Sequence, residues 1–325
     1  MAMRVIGDSW ALEKANYNYS RIDAFLGGAL AWLPVALRRA SFIKCIALAL
    51  LSSRFDRLAI VHSNPLGRSL TVVFGILGIH KIIFYETIIK NASSRSLRTR
   101  VLAWLLRRSC RELHVMVASD VPAYAAAFGF PIEHISFVPW PMITGDNFSG
   151  MMPLPPAERR IVLSSGRASC DWDTLLTAAE GQDWPLIIVC STEDLPRIKD
   201  NPLSKNVEVR SEISRAEHEE LVKSAKLYIL CLAESNISSG QIRLSHCSEF
   251  RTPLVASNVY GLRGYLKDGV TGIAVTPENA IALREVTNDL LSSSAKLNAI
   301  VEASARFGEG KTIDRYIRSL VELIR

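Results

Sequence analysis

The sequence predicts an α/β protein in which parallel sheets are divided between two domains. Three observations carry this: short β-branched runs alternate with amphipathic segments, a proline-rich stretch interrupts that rhythm midway, and 325 residues exceed one typical domain. The strand runs of the first half are RLAIVHS, KIIFYE, ELHVMVAS and ISFVP. Those of the second are RIVLSSG, PLIIVCS, NVEVRS, KLYILCL, PLVAS and TGIAV. Helical patterns separate them, so the chain reads as repeated βα units. Residues 139–160 hold five prolines and two glycines and read as a linker. The expected division is a domain over 1–148, a linker over 149–158, a second domain over 159–310 and a C-terminal helix over 311–325. That last helix is expected from Ile313, Ile317, Leu320 and Ile324, which share one helix face.

Composition is that of a globular protein, with 49% hydrophobic and 22% charged residues and no repeat. The net charge of +6 conceals an asymmetry: residues 1–150 hold 17 Lys and Arg against 9 Asp and Glu, and the remainder hold 21 against 23. A half that is +8 suits either nucleic acid or an anionic membrane surface. The six cysteines form no CxxC pair and read as reduced thiols of a cytosolic protein. The N-terminal residues lack the pattern of a signal peptide, so export is not expected. Residues 26–51 are the most apolar region, but Pro34, Arg38, Arg39 and Lys44 break them. No spanning helix is expected there, and a helix lying in the interface is compatible with the pattern.

In parallel α/β sheets, ligands bind beyond the carboxyl ends of the strands. Three places in the second half qualify. After RIVLSS, Gly166 allows close backbone approach and Arg167 supplies a permanent positive charge, although an ordinary strand-to-helix turn would read the same way. Residues 235–241, SNISSGQ, precede a helical stretch whose N–H groups suit an anion, with Arg243 in its first turn; a Ser-capped helix is the alternative. The loop of residues 258–263 follows PLVAS. The order of these elements is more informative than any one of them. The run SSGQIRLSHCSEFRTPLVASNVYGLRGYLKDGVTGIAV resembles the donor-binding segment of the GT-B glycosyltransferases of family 4, the glycosyl transferases group 1, down to a DGxTG turn at Asp268, Gly269, Thr271 and Gly272. The likeness extends back through VEVRSEISRAEHEELVKSAKLYIL and IVLSSGRASCDWDTLLTAAEG, and more weakly through ELHVMVASDVPAYAAAFGFPIEHISFVPWP. The earliest residues are poorly matched.

The resemblance implies two Rossmann-like domains with a cleft between them, an acceptor-binding first domain and a nucleotide-sugar donor domain. It implies that Gly166 and Arg167 flank the donor diphosphate, that Glu212 and Ile213 lie by the nucleobase, and that Ser239, Gly240 and Gln241 face the phosphates or sugar. The family's paired glutamates are absent, since aligning on Pro253 puts Ser238 and His246 at their positions. His246 could bond a ribose hydroxyl or be a satisfied core histidine. Asp171 and Asp173 form a DxD, a metal signature of another glycosyltransferase fold, but here they open a helix and read as a cap and a dipole partner. No metal and no cofactor beyond the sugar-nucleotide substrate are expected.

In the first half, Glu86 ends KIIFYE, where a carboxylate could activate an acceptor hydroxyl or simply face solvent. His62 and Asn64 are weaker candidates of the same kind. Residues 93–111 carry six arginines around Leu97, Val101, Trp104 and Leu105, a pattern that suits an anionic bilayer or a charged helix packed on its sheet. A P-loop, GxGxxG, HExxH, GxSxG and any mixed aromatic and basic RNA signature are absent, which removes the usual support for nucleic-acid, kinase, dehydrogenase, protease and hydrolase readings. The expectation is a cytoplasmic hexosyltransferase, peripheral on the inner face of the membrane, serving cell-surface or exopolysaccharide synthesis. Its expected partners are a nucleotide-sugar donor, a lipid-linked or saccharide acceptor and an anionic membrane surface. A GT-B epimerase or hydrolase and a catalytically silent sugar-nucleotide-binding protein are the alternatives.

Overall fold

The computed structural model describes residues 3–15, 19–31, 34, 39–89, 96–145, 158–200 and 203–325. Residues 149–157 of the expected linker lie outside them. The chain divides into two compact units, Met1–Pro139 with Asp314–Arg325, and Trp140–Ile313. The division falls after Pro139, ahead of the expected 148, because the carboxylate of Glu249 holds the next residues in the second unit. It accepts from Thr144 Oγ1 at 2.7 Å and from the Gly145 amide at 2.9 Å. The last helix, Ile313–Glu322, packs in the first unit rather than standing apart.

Each unit is built on a six-stranded parallel sheet. The first holds β1 (Val5–Asp8), β2 (Tyr19–Arg21), β3 (Arg57–Val61), β4 (Ile82–Thr87), β5 (Cys110–Val115) and β6 (Ile135–Phe137) in the order β2-β1-β3-β4-β5-β6. The second holds β7 (Ile161–Ser165), β8 (Leu186–Cys190), β9 (Val207–Ser211), β10 (Ala225–Leu230), β11 (Leu254–Ser257) and β12 (Ile273–Val275) in the order β12-β11-β10-β7-β8-β9. Ten of these strands lie on the ten runs read from the sequence. The first two were not anticipated, being four and three residues long. The strand order reverses between β1 and β3 in one sheet and between β7 and β10 in the other, the places where open α/β sheets leave a crevice for a ligand.

Local chemistry starts the helices where the sheets need them. Asn64 accepts from the Leu66 amide at 2.9 Å to cap Pro65–Leu77, which ends on Gly78 in the left-handed conformation (φ 69°). Ser214 accepts from the Glu217 amide at 3.1 Å and starts Arg215–Ser224. In the first unit, helices Ser41–Leu50, Pro65–Leu77, Leu97–Ser109 and Asp120–Phe128 pack side by side. They share one face of the sheet because β2 to β6 are linked by right-handed crossovers that all step in the same direction. The opposite face receives Trp10–Lys14 and the last helix, where Tyr85 donates to the Leu320 carbonyl at 2.8 Å and Trp10 stacks on Tyr316. Both cores join strand and helix residues, for example Ile60, Phe84 and Leu113 with Leu70 and Phe74 in the first unit and Ile188, Leu227 and Val255 with Trp172 and Leu175 in the second.

Candidate functional site

In the second unit the chain leaves β7 and β10 side by side at the reversal of strand order. The two exits are tied together. Asp171 N–H donates to the Cys231 carbonyl at 3.0 Å, Ala233 N–H donates to the Ser169 carbonyl at 2.8 Å, and the Ser169 and Ser235 hydroxyls lie 3.2 Å apart. Ser169 takes a positive φ of 57° to make this turn, a strain that non-glycine residues bear where the surroundings over-determine the backbone. A Cβ on Gly166 would lie 2.3 Å from Cys170 Sγ, so any larger residue there would have to displace that thiol. Arg167 follows, exposed and making no hydrogen bond or ion pair with any described residue.

The second loop ends on Gly240, whose φ of 88° turns the chain into helix Gln241–Glu249. It is clamped from below. A Cβ on Gly261 would meet the Ile237 carbonyl oxygen at 2.6 Å and the Ser239 amide at 2.9 Å. Gln241 Nε2 donates to Ser238 Oγ at 2.7 Å and to the Gly261 carbonyl at 2.5 Å. Gln241 and Ser238 are thus engaged with one another and with the backbone. Ser239 is different, for its hydroxyl is buried and has no partner among the described residues. A buried hydroxyl left unsatisfied in a native fold calls for an explanation, and a bound ligand's oxygen is one.

Behind β7, Ser165 Oγ lies 2.7 Å from His218 Nε2 and 2.6 Å from the Tyr228 hydroxyl, which also donates to the Ser165 carbonyl. This polar cluster holds the last residue of β7 ahead of Gly166. Burial, with the nearby Arg243 guanidinium, pushes the His218 pKa down to about 3. His246 is buried beside it, with Nδ1 3.5 Å from Arg243 Nη1. A guanidinium only donates, so this imidazole is neutral, and its pKa is pushed down to about 4 first by burial and then by Arg243. Of the sequence candidates, Gly166, Arg167, Ser239, Gly240 and Arg243 therefore gather around the two loops. Glu212 and Ile213 follow β9, where Glu212 has a φ of 51° and accepts from Thr192 Oγ1 at 2.8 Å. Asp171 caps helix Trp172–Ala179 by accepting from the Thr174 amide at 3.1 Å, and Asp173 pairs with Arg197. Among the described residues no cluster of three or more His, Cys, Asp or Glu could hold a metal ion.

Sequence spacing missed the Ser165–His218–Tyr228 cluster, the thiol over Gly166 and the support from Gly261. Most of these partners are dozens of residues apart and join only when β7, β10 and β11 lie side by side.

In the first unit, Glu86 stands at the carboxyl end of β4 with a φ of 51°. Its amide donates to His114 Nδ1 at 3.2 Å, and His114 Nε2 donates to the Val138 carbonyl at 3.0 Å, which fixes a neutral tautomer. Burial raises the Glu86 pKa, and the Trp10 indole N–H, 3.4 Å from Oε1, opposes that rise. His62 packs edge-on against the Phe84 ring. Asn64, besides capping its helix, donates to Asp8 Oδ2 at 2.5 Å across the β1/β3 reversal.

Residues 153–307 match the family described as glycosyl transferases group 1. No curated protein matches the chain. Among solved structures, HepE of Anabaena in complex with UDP-glucose is similar at 13% identity over 99% of this chain and 100% of that one, with a TM-score of 0.68. A glycosyltransferase from Rickettsia africae is similar at 13% identity over 99% and 89%, with a TM-score of 0.69. Sucrose-phosphate synthase from Thermosynechococcus elongatus is similar at 14% identity over 99% and 98%, with a TM-score of 0.68. At such identities the likeness is one of fold, two Rossmann-like units of the GT-B type.

Proposed function

We propose that this chain, a glycosyltransferase whose residues 153–307 match the glycosyl transferases group 1, moves a sugar from a nucleoside-diphosphate donor to a lipid-linked or saccharide acceptor. The observation that carries the reading is the pair of tied loops at the β7/β10 reversal. Arg167 and the buried Ser239 hydroxyl, both without a partner among the described residues, stand there beside the start of helix Gln241–Glu249. A diphosphate gains negative charge as the glycosidic bond breaks. Arg167, Ser239 and the amides around Gly240 would stabilise that charge in place, with Arg243 adding to the local positive potential. Glu212 and Ile213, in the loop that follows β9, would lie against the base of the donor. Gln241 and Ser238 act by holding the loop in shape, and His246 by accepting from Arg243.

In the first unit, Glu86 is the acceptor-activating base. Its raised pKa brings a carboxylate nearer to the basicity that proton abstraction needs. Transfer needs no divalent metal, since Arg167 and the loop amides meet the diphosphate directly. The positive first half takes the acceptor at an anionic membrane surface on the cytoplasmic side, in synthesis of a cell-surface or exopolysaccharide. No described helix is long and apolar enough to cross a membrane.

The test is a donor screen read by release of nucleoside diphosphate, with and without chelator, on the parent chain and on Arg167→Ala. A charge-assisted phosphate contact contributes about 1.5 to 3 kcal/mol, so kcat/KM for donor is expected to fall roughly ten- to a hundredfold, and chelator to change nothing. Unaltered donor kinetics would remove Arg167 from the site, and restoration by Mn²⁺ after chelation would assign Asp171 and Asp173 a metal. Acceptor-independent turnover would identify a hydrolase or epimerase instead, and binding without turnover for every donor a silent protein.

A further inference from the structure

The helical layer of the first unit leaves an apolar surface outward. Phe42, Ile46 and Leu50 recur at helical spacing on Ser41–Leu50, and all three are exposed, Leu50 at 79%. Val72 and Ile76 do the same on Pro65–Leu77, as do Leu97, Val101 and Trp104 on Leu97–Ser109, with Leu97 at 74%. A helix of a globular unit normally turns polar residues outward, and scattered single exposed apolar residues are ordinary. Three neighbouring helices with apolar outer stripes are not. They are held as one surface: a Cβ on Gly75 would lie 2.8 Å from the Leu105 carbonyl oxygen, and Arg108 Nε donates to the Gly75 carbonyl at 2.7 Å.

The charge of this surface has a single sign. None of the three helices contains an Asp or Glu, and between residues 24 and 111 only Asp56 and Glu86 are acidic. Arg68, Arg98, Arg100, Arg107 and Arg108 are exposed on two of the helices. Arg98 and Arg100 make no pairing with any described residue. A groove of about 490 Å³ runs beside Leu97–Ser109, where Leu97, Val101 and Trp104 meet Arg100 and Arg107. Apolar side chains bordered by guanidinium groups, with those of Arg98 and Arg100 unpaired among the described residues and no acidic residue on the three helices, complement acyl chains beneath anionic head groups.

We propose that the outer face of the helices Ser41–Leu50, Pro65–Leu77 and Leu97–Ser109 together is the surface on which this protein docks to an anionic bilayer. It rests on the membrane reading above and replaces a single basic helix by a three-helix face. In each βα unit the helix begins beside the carboxyl ends of the strands. The same layer that meets the bilayer therefore borders the sheet edge where Glu86 stands, and a lipid-linked acceptor could present its head group to that edge while its chain stays in the membrane.

The experiment is co-sedimentation of the full chain with phosphatidylcholine vesicles, with and without phosphatidylglycerol. Leu50→Ser with Ile76→Ser alters no charge and lies outside the arginine-rich helix; it is expected to weaken partition onto anionic vesicles at least tenfold. Arg98→Gln with Arg100→Gln is expected to weaken it roughly thirtyfold, from about 1 kcal/mol per basic group, and high salt to act likewise. Ile281→Ser, exposed on the second unit, is the control expected to bind as the parent does. Unchanged circular dichroism and donor binding show that the variants are folded. If Leu50→Ser with Ile76→Ser sediments as the parent while the arginine variant does not, the three-helix face is wrong and the membrane reading stands. If the parent itself ignores anionic vesicles, both fall, and sugar transfer to a soluble acceptor remains.

Discussion

Glu86 shows how much a single residue's role depends on partners that its own neighbourhood in sequence does not name. Its left-handed backbone, the His114 ring that receives its amide and the Trp10 indole near its carboxylate come from three separate elements. A base must be ionised to act, so activity should rise with pH through a Glu86 pKa that lies above the ordinary carboxylate value. Trp10→Phe keeps a ring against Tyr316 and removes the N–H that favours the ionised form. The acid limb of kcat/KM should then move to higher pH, and Glu86→Gln should lower kcat by about 10²- to 10⁴-fold. An acid limb unmoved in Trp10→Phe would detach that limb from Glu86. Asp171 illustrates the opposite case. Its role as a helix cap is legible from the residues that follow it, because capping is a local interaction.

At the scale of elements, the loop between β10 and helix Gln241–Glu249 owes its shape to glycines on two sides. Gly240 supplies the left-handed turn, and Gly261, on a different loop, leaves room for Ile237 and Ser239. Gly261→Ala should press on the Ser239 amide and Oγ. Overpacking of this kind costs about 1 to 3 kcal/mol, part of it seen as lower stability and part as a raised KM for donor. Gly269→Ala is the comparison for stability alone, since it has a positive φ and open space around it. Equal donor KM in the two variants would mean that Gly261 shapes no ligand contact. The positions of Gly166, Arg167, Ser239 and Gly240 were legible in the sequence through their order along the chain. The inward engagement of Gln241 and the burial of His246 were not, because both depend on which way the helix faces once β11 lies beside β10.

For the whole molecule, four histidines with depressed pKa values contribute to the response to acid. His62, His114, His218 and His246 have pKa values pushed down to about 4, 4, 3 and 4 from an ordinary 6.5, in each case mainly by burial. Protons therefore bind the unfolded chain first as pH falls. The stability these groups contribute is fully present above pH 6.5 and is lost progressively on the way down to about 4, and to about 3 for His218. The urea midpoint should fall across that window, and the fall should be shallower in His218→Gln. A slope identical to the parent's would show that His218 is protonated in the folded state.

The sequence by itself determined the fold class, ten of the twelve described strands, the order of the loops that follow β7 and β10 and the charge asymmetry. All of these follow from local periodicity, from chain order or from composition. Tertiary structure alone decided the rest. It drew Glu249 to Thr144 and so set where the second unit begins, and it returned the last helix to the first unit. It joined Ser165 to His218 and Tyr228, and it laid three helices side by side so that their separate apolar stripes became one face. Each of these unites residues far apart along the chain, and sheet order and right-handed crossovers, not spacing, decide which of them become neighbours.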